Sequence, residues 1–149
     1  MIIYLDTSAL AKRYIAEAGS AEIERLVRSA DAVGTSVITR AEVSAAIARA
    51  VRIGSLERAV GEKILQVFRQ HWPELGSLQV TESLVAEVDS LAWDYDLRGY
   101  DAMHLASALM WQEAVSEAIT LATFDRQLWE AGQRAGIAVW PEDLDKSTP

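Results

Sequence analysis

Apolar residues form two unbroken runs in this chain, and each run predicts a strand. Residues 1–5 are all apolar and include β-branched and aromatic side chains, a pattern typical of a strand buried on both faces of a parallel sheet. Residues 119–123 form a second, largely apolar run. Shorter segments at 32–37, 78–80 and 137–140 predict three further strands.

Between the strands, apolar residues recur every three or four positions, which predicts helices. The helical segments are residues 9–17, 21–29, 39–53, 56–72, 82–93, 101–116 and 125–135, and the aspartate-rich segment 94–100 is a turn. Strands that alternate with helices indicate an α/β fold, here a small, mainly parallel central sheet flanked by helices in three layers. We expect a single domain over residues 1–142, followed by a polar tail at 143–149 with little to bury.

Composition narrows the class of protein. A chain of 149 residues has the length of one domain and no cysteine, which excludes disulfides and thiolate metal sites. Because no secretory leader or long apolar stretch is visible, we expect a cytoplasmic protein without a membrane partner. A net charge of −8 argues against nucleic-acid binding through an overall positive field, so local cations would have to line any such site.

Four acidic residues occupy related positions in the predicted fold. Asp6 and Asp125 follow the two buried strands, so both belong to the carboxyl edge of a parallel sheet, where ligands bind in such folds. Glu42 and Asp101 lie near the starts of helices that point to the same edge. Carboxylates gathered there would repel one another unless a cation held them, and oxygen ligands without cysteine suit Mg²⁺ or Mn²⁺.

Each acid also has a simpler interpretation as a helix cap. Thr39 and Glu42 have the spacing of a capping box, and Asp6, Asp101 and Asp125 are residue types that cap helices well. His104 lies one turn after Asp101 and could join the site, but a histidine among apolar neighbours is more often a packing residue or a support for a ligand.

The four acidic segments together resemble a known family. LDTSAL at 5–10, AEV at 41–43, YDAMHLA at 100–106 and ATFD at 122–125 are similar, in order and spacing, to the four acidic motifs of PIN-domain nucleases. The third motif is most similar to that of VapC-type toxins of toxin–antitoxin pairs. The resemblance implies a PIN-like α/β/α fold and a Mg²⁺- or Mn²⁺-dependent endoribonuclease, a hydrolase that forms a homodimer and is held inactive by a cognate antitoxin protein.

The resemblance also implies roles for individual residues. Asp6, Glu42, Asp101 and Asp125 would be the catalytic, metal-binding acids. Thr7, Ser8 and Thr123 would support them, with Thr123 in the same site and the other two orienting Asp6 or the phosphate. Basic residues near the motifs are candidates for holding the RNA backbone: Lys12, Arg13, Arg40 and Arg98. The helix at 56–72 and the helix before it, at 39–53, form a helical hairpin and are candidates for dimer or antitoxin contact.

Two other classes of protein remain as alternatives. An aspartate-based phosphatase of the haloacid-dehalogenase type needs a second aspartate two places after the nucleophile, where this chain has Ser8, and a phosphorylated receiver domain also fits poorly. A PIN-like module that only binds or serves as a scaffold is the other alternative, and the presence of all four acids disfavours it.

Overall fold

A parallel sheet forms the middle layer of the protein. The computed structural model describes residues 1–147, and within them five strands pair in the order β3-β2-β1-β4-β5, all parallel. The strands are β1 (Ile2–Leu5), β2 (Ala32–Ser36), β3 (Gly76–Leu78), β4 (Ile119–Ala122) and β5 (Ala138–Trp140). The central place of β1 explains its uninterrupted apolar sequence, because helices cover both of its faces.

The helices connect successive strands. They are α1 (Thr7–Ala11), α2 (Ser20–Ser29), α3 (Thr39–Arg52), α4 (Arg58–His71), α5 (Glu82–Tyr95), α6 (Gly99–Val115), α7 (Arg126–Arg134) and α8 (Leu144–Ser147), with a short 3-10 helix at Trp72–Glu74. Among residues 1–147, none of these helices is both long and apolar enough to cross a membrane.

Two hydrophobic cores lie on opposite faces of the sheet. Successive side chains of a strand point to opposite faces, so Ile3 and Leu5 pack with α1–α4 in one core, whereas Tyr4 packs with α5–α7 in the other. The three-layer α/β/α fold expected from the sequence is therefore confirmed.

The strand order brings the ends of β1 and β4 together. These two strands are neighbours in the sheet, with Leu5 paired to Ala122. The Asp6 amide continues the ladder by donating to the Ala122 carbonyl at 3.2 Å. Residues that follow β1 and β4 in sequence therefore lie side by side at the carboxyl edge, as parallel pairing predicts.

The third strand lies earlier than the apolar pattern predicted. The prediction of residues 78–80 was wrong because pairing with β2 begins at Gly76, a residue with weak strand preference whose place is decided by its neighbour. An added Cβ at Gly76 would come within 3.3 Å of the Val33 carbonyl oxygen. The close approach of the two backbones favours glycine there.

Two helical boundaries also differ from expectation. The first helix ends at Ala11 rather than at residue 17, and the apolar spacing beyond it belongs to Tyr14 and Ile15, which pack against the core from a loop. The turn predicted at 94–100 is shorter, since α5 extends to Tyr95 and α6 begins at Gly99.

The predicted polar tail carries one core residue. Leu144 is buried and opens the short helix α8, so the expectation of little to bury was wrong at that position. Residues 148–149 of the tail lie outside the described residues.

Candidate active site

Asp6 is buried at the end of β1, and hydrogen-bond donors surround its carboxylate. Oδ1 accepts from the Ala9 amide at 2.8 Å, which caps α1. Ser8 Oγ lies 2.8 and 2.9 Å from the two carboxylate oxygens, and Thr123 Oγ1 donates to Oδ2 at 2.8 Å. Burial raises the pKa of Asp6, because these donors and the nearby His104 only partly offset the loss of water.

The hydroxyls of Ser8 and Thr123 also fix the loop that follows β4. Ser8 Oγ accepts from the Phe124 amide at 2.8 Å, and Thr123 Oγ1 accepts from the Asp125 amide at 3.0 Å. Each hydroxyl thus contacts the Asp6 carboxylate on one side and a backbone amide of this loop on the other. The expectation that Ser8 and Thr123 support Asp6 agrees with this arrangement.

Glu42 reaches the site from the first turn of α3 and is held by two side chains. His104 Nε2 lies 2.9 Å from Glu42 Oε2, and the Thr7 hydroxyl donates to the same oxygen in a short hydrogen bond. Burial alone would raise the pKa of Glu42, but the hydrogen bonds from His104 and Thr7 and the charge of His104 together lower it. Glu42 is therefore held in its ionised form.

Tyr4 orients the histidine from the sheet. Its hydroxyl lies 2.9 Å from His104 Nδ1, in a fully buried position. Burial raises the pKa of Tyr4, so the phenol stays protonated and can donate to Nδ1. With Tyr4 on Nδ1, the ring of His104 is oriented so that Nε2 faces Glu42.

Asp101 and Asp125 are joined by one guanidinium group. Arg98 Nε donates to Asp101 Oδ2 at 2.7 Å, and Arg98 Nη2 donates to Asp125 Oδ2 at 2.9 Å. The other oxygen of Asp125 accepts from the Leu128 amide at 3.0 Å, which caps α7. The two acids thus converge on a single positive charge.

The capping interpretations have different outcomes. Asp6 and Asp125 do cap helices, in addition to their contacts in the site. The capping box of Thr39 and Glu42 does not form: Ile38 is the N-cap of α3 without a side-chain cap bond, and Glu42 bonds Thr7 and His104 instead.

The donor chemistry of the four acids fits a hard divalent cation. All four offer carboxylate oxygens, the ligands that Mg²⁺ and Mn²⁺ prefer. The single hydroxyl hydrogen of Ser8 cannot saturate both Asp6 oxygens, which leaves Asp6 acceptor capacity. As the side chains lie, no three His, Cys, Asp or Glu side chains within residues 1–147 form a ready-made metal cluster, and a guanidinium holds the Asp101–Asp125 pair.

The four basic residues proposed for RNA contact lie in different surroundings. Lys12 Nζ donates to the Ala18 carbonyl at 2.8 Å and covers the Phe124 ring at 4.4 Å. Arg13 pairs with an acid of α2, and Arg40 lies over the Trp72 ring. Arg98 alone of the four bonds acids of the site.

Sequence reasoning missed the role of Tyr4 and understated that of His104. A tyrosine within an apolar strand carries the pattern of a core residue, and no local signal distinguishes one whose hydroxyl orients a histidine. The position of His104 one turn after Asp101 did place it near the site, and the structure confirms the simpler interpretation of it as a buried support.

An open groove of about 1040 Å³ leads away from Thr7 and Glu42. Its floor is formed largely by alanines of α3, and its far end includes Ile53 of the α3–α4 connection and Val60 of α4. These two apolar side chains are 65% and 43% exposed. Most of the groove is thus apolar, Arg49 and Arg52 also line it, and Glu42 lies at the end that meets the site.

The chain is similar to known proteins in sequence. The family model described as "PIN domain" matches residues 3–133, a range that contains all four acids. The chain is 32% identical over 145 residues to Ribonuclease VapC45 of Mycobacterium tuberculosis, covering 97% of this chain and 98% of that protein. It is 30% identical over 137 residues to Ribonuclease VapC46 of the same organism, covering 92% and 95%.

Solved structures share the fold at lower identity. The chain is similar to VapC20 of Mycobacterium tuberculosis, described as a sarcin-ricin loop cleaving toxin, with a TM-score of 0.65, 18% identity and coverage of 87% and 95%. It is similar to PAE2754 of Pyrobaculum aerophilum with a TM-score of 0.65, 20% identity and coverage of 98% and 88%. With a matching family model and near full-length relatives at 30% and 32% identity, the chain belongs to the PIN-domain family, among the VapC ribonucleases.

Proposed function

We propose that the protein is a Mg²⁺- or Mn²⁺-dependent endoribonuclease and the toxin of a type II toxin–antitoxin system. The observation that carries this proposal is the placement of Asp6, Glu42, Asp101 and Asp125 at the carboxyl edge of one parallel sheet, in a VapC-type PIN domain. PIN-domain ribonucleases of this type are generally dependent on divalent metal ions. Because its substrate is RNA, we expect the protein to act in the cytoplasm.

The residues of the site have two roles in phosphodiester hydrolysis, metal binding and the orientation of the metal-binding acids. Asp6, Glu42, Asp101 and Asp125 would supply carboxylate oxygens to the cation. Ser8 and Thr123 hold the carboxylate of Asp6, and His104 holds that of Glu42. When bound, Mg²⁺ or Mn²⁺ supplies positive charge for the phosphate and activates water as the nucleophile. The supporting hydrogen bonds matter because a metal site depends on groups that orient its ligands.

The surface beside the acids offers contacts for a single RNA strand. Arg98 is a cation at the edge of the site, 70% exposed, and can contact a phosphate. Tyr100 is 64% exposed and directly precedes Asp101, so its ring is available for stacking by an unpaired base. The exposed ring favours unpaired RNA over a duplex, because only an unpaired base can stack on it.

The apolar groove is the proposed binding site for the antitoxin. A related solved structure is VapBC2 of Rickettsia felis bound to a DNA fragment from its promoter, with a TM-score of 0.61. In this chain the exposed Ile53 and Val60 and the alanine floor suit an apolar segment of a partner. The groove ends at Glu42, so a basic residue of that partner could reach the acids. We also propose a homodimer, as in the sequence-based expectation for the helix at 56–72.

The test is cleavage of structured RNA pools by the purified full chain, in Mn²⁺, Mg²⁺ or excess chelator. We expect cleavage with either ion, none with chelator, and none from Asp6→Asn. Ser29→Ala, a change at an exposed residue of α2 outside the site, is the control and should cleave normally. Cleavage that survives chelation, or that Asp6→Asn retains at the wild-type rate, would overturn the mechanism.

A further inference from the structure

Arg98 is far more exposed to solvent than the two acids it joins. Its side chain is 70% exposed, whereas those of Asp101 and Asp125 are 14% and 27% exposed. Asp101 is fixed in the first turn of α6, and Asp125 is held by the cap of α7. The arginine is therefore the solvent-exposed partner of the three, and the carboxylates are the more buried ones.

The two carboxylates meet on this arginine and on no other cation among the salt bridges within residues 1–147. The neighbouring Arg126 pairs with Asp145 instead. Lys12 is engaged by Ala18, Glu17 and Phe124. The positive charge that the pair requires is thus supplied by a single exposed side chain.

We infer that Arg98 is a removable counter-charge, which holds the Asp101–Asp125 pair in the cation-free protein and competes with a divalent cation for it. The inference rests on the proposed function, because it concerns the same acids. Exposed ion pairs are weak, and both oxygens that bond Arg98 are carboxylate oxygens suited to Mg²⁺ or Mn²⁺. Arg98 and a cation therefore compete for the same two oxygens.

Competition of this kind lowers the apparent affinity for the cation, because only some of the protein molecules have Asp101 and Asp125 free of Arg98. Removal of the guanidinium should therefore tighten cation binding. For two exposed ion pairs we expect the dissociation constant for Mn²⁺ to fall about 3- to 10-fold. Arg98→Lys keeps the charge but loses the fork that bonds both acids at once, so its constant should lie between those of Arg98→Gln and the wild type.

The test is titration of the purified full chain with MnCl₂, followed by isothermal calorimetry and by the loss of the free-Mn²⁺ paramagnetic resonance signal. The proteins are wild type, Arg98→Gln, Arg98→Lys and Arg126→Gln, each checked for folding by circular dichroism. Arg126→Gln is the matched control, because it removes the same charge one residue from Asp125 without touching the bridge. We expect it to change the constant by less than about 2-fold.

Three outcomes would overturn the inference. If Arg98→Gln binds Mn²⁺ no more tightly than wild type, Arg98 does not compete, and Mn²⁺-dependent cleavage by the wild type would leave the proposed function standing. If Arg126→Gln tightens binding equally, overall charge is the cause. If none of the proteins binds Mn²⁺ and cleavage survives chelation, the proposed function fails, and the inference fails with it.

Discussion

Thr123→Val gives a sharp test of how the site is built, because it removes one hydroxyl and keeps the shape of the side chain. Thr123 is fully buried. Its hydroxyl donates to Asp6 Oδ2 at 2.8 Å and accepts from the Asp125 amide at 3.0 Å. Valine fills the same space but leaves the carboxylate with one donor fewer and the amide without its acceptor.

The expected loss follows from these two bonds. A hydrogen bond to a charged group is worth about 1.5–3 kcal/mol and one between neutral groups about 0.5–1.5 kcal/mol. The free energy of unfolding should therefore fall by about 2–4.5 kcal/mol in Thr123→Val. Thr123→Ser keeps the hydroxyl and loses one buried methyl group, for which we expect about 1 kcal/mol.

The pH dependence of this loss has a definite sign. Burial raises the pKa of Asp6 above its ordinary value of 3.8, so the stability contributed by its titration is complete below 3.8 and is lost as pH rises through the folded-state pKa. Without the Thr123 donor that folded-state pKa rises further. The difference in stability between wild type and Thr123→Val should therefore be largest near pH 7 and should narrow as pH falls towards 4.

The assay is urea unfolding of wild type, Thr123→Val and Thr123→Ser in the presence of chelator, at several pH values between 4 and 7. Cleavage activity measured in Mn²⁺ should fall in the valine variant and be largely kept in the serine variant. Equal stability losses for valine and serine at pH 7, or a gap that widens as pH falls, would refute the reasoning about this hydroxyl.

Three further predictions concern other parts of the site and core. Asp6→Asn should reduce cleavage at least about 100-fold. It should also raise the free energy of unfolding in chelator at pH 7 by about 0.5–2 kcal/mol, because a neutral group replaces a buried carboxylate. A less stable variant in urea unfolding would contradict this. His104→Gln should reduce kcat about 10- to 100-fold, because Glu42 loses the group that orients it, whereas an effect on KM alone would argue for a substrate contact. Gly34→Ala should lower the free energy of unfolding by about 1–3 kcal/mol, because its Cβ would lie 2.4 Å from the Trp111 ring, and unchanged urea unfolding would show that the ring moves freely.

The positions of Asp6 and Asp125 could be predicted from sequence because each follows an apolar strand. Parallel pairing then places both at one edge without any knowledge of side-chain contacts, and the neighbouring places of β1 and β4 agree with this. The helix cap of Asp125 was also visible, since it depends only on residues close in sequence. Local patterns and one topological rule were sufficient for this half of the site.

The contacts between helices could not be predicted in the same way. Glu42 bonds His104, a residue 62 positions away. This long-range hydrogen bond forms in place of the local capping box with Thr39. Arg98 was expected to contact RNA, and its bridge to Asp101 and Asp125 depends on how α6 and α7 pack. Such choices depend on tertiary geometry, which a propensity or a spacing does not contain.

The four acids avoid mutual repulsion in three different ways. The groups that hold them differ in how deeply they are buried. Asp6 is held by hydroxyls and an amide, deep in the sheet. Glu42 is held by a buried histidine that is itself fixed from the sheet. Asp101 and Asp125 depend on an exposed arginine. When a divalent cation binds, rearrangement should therefore begin at Asp101 and Asp125, because their counter-charge is the most exposed. Asp6 should keep its geometry.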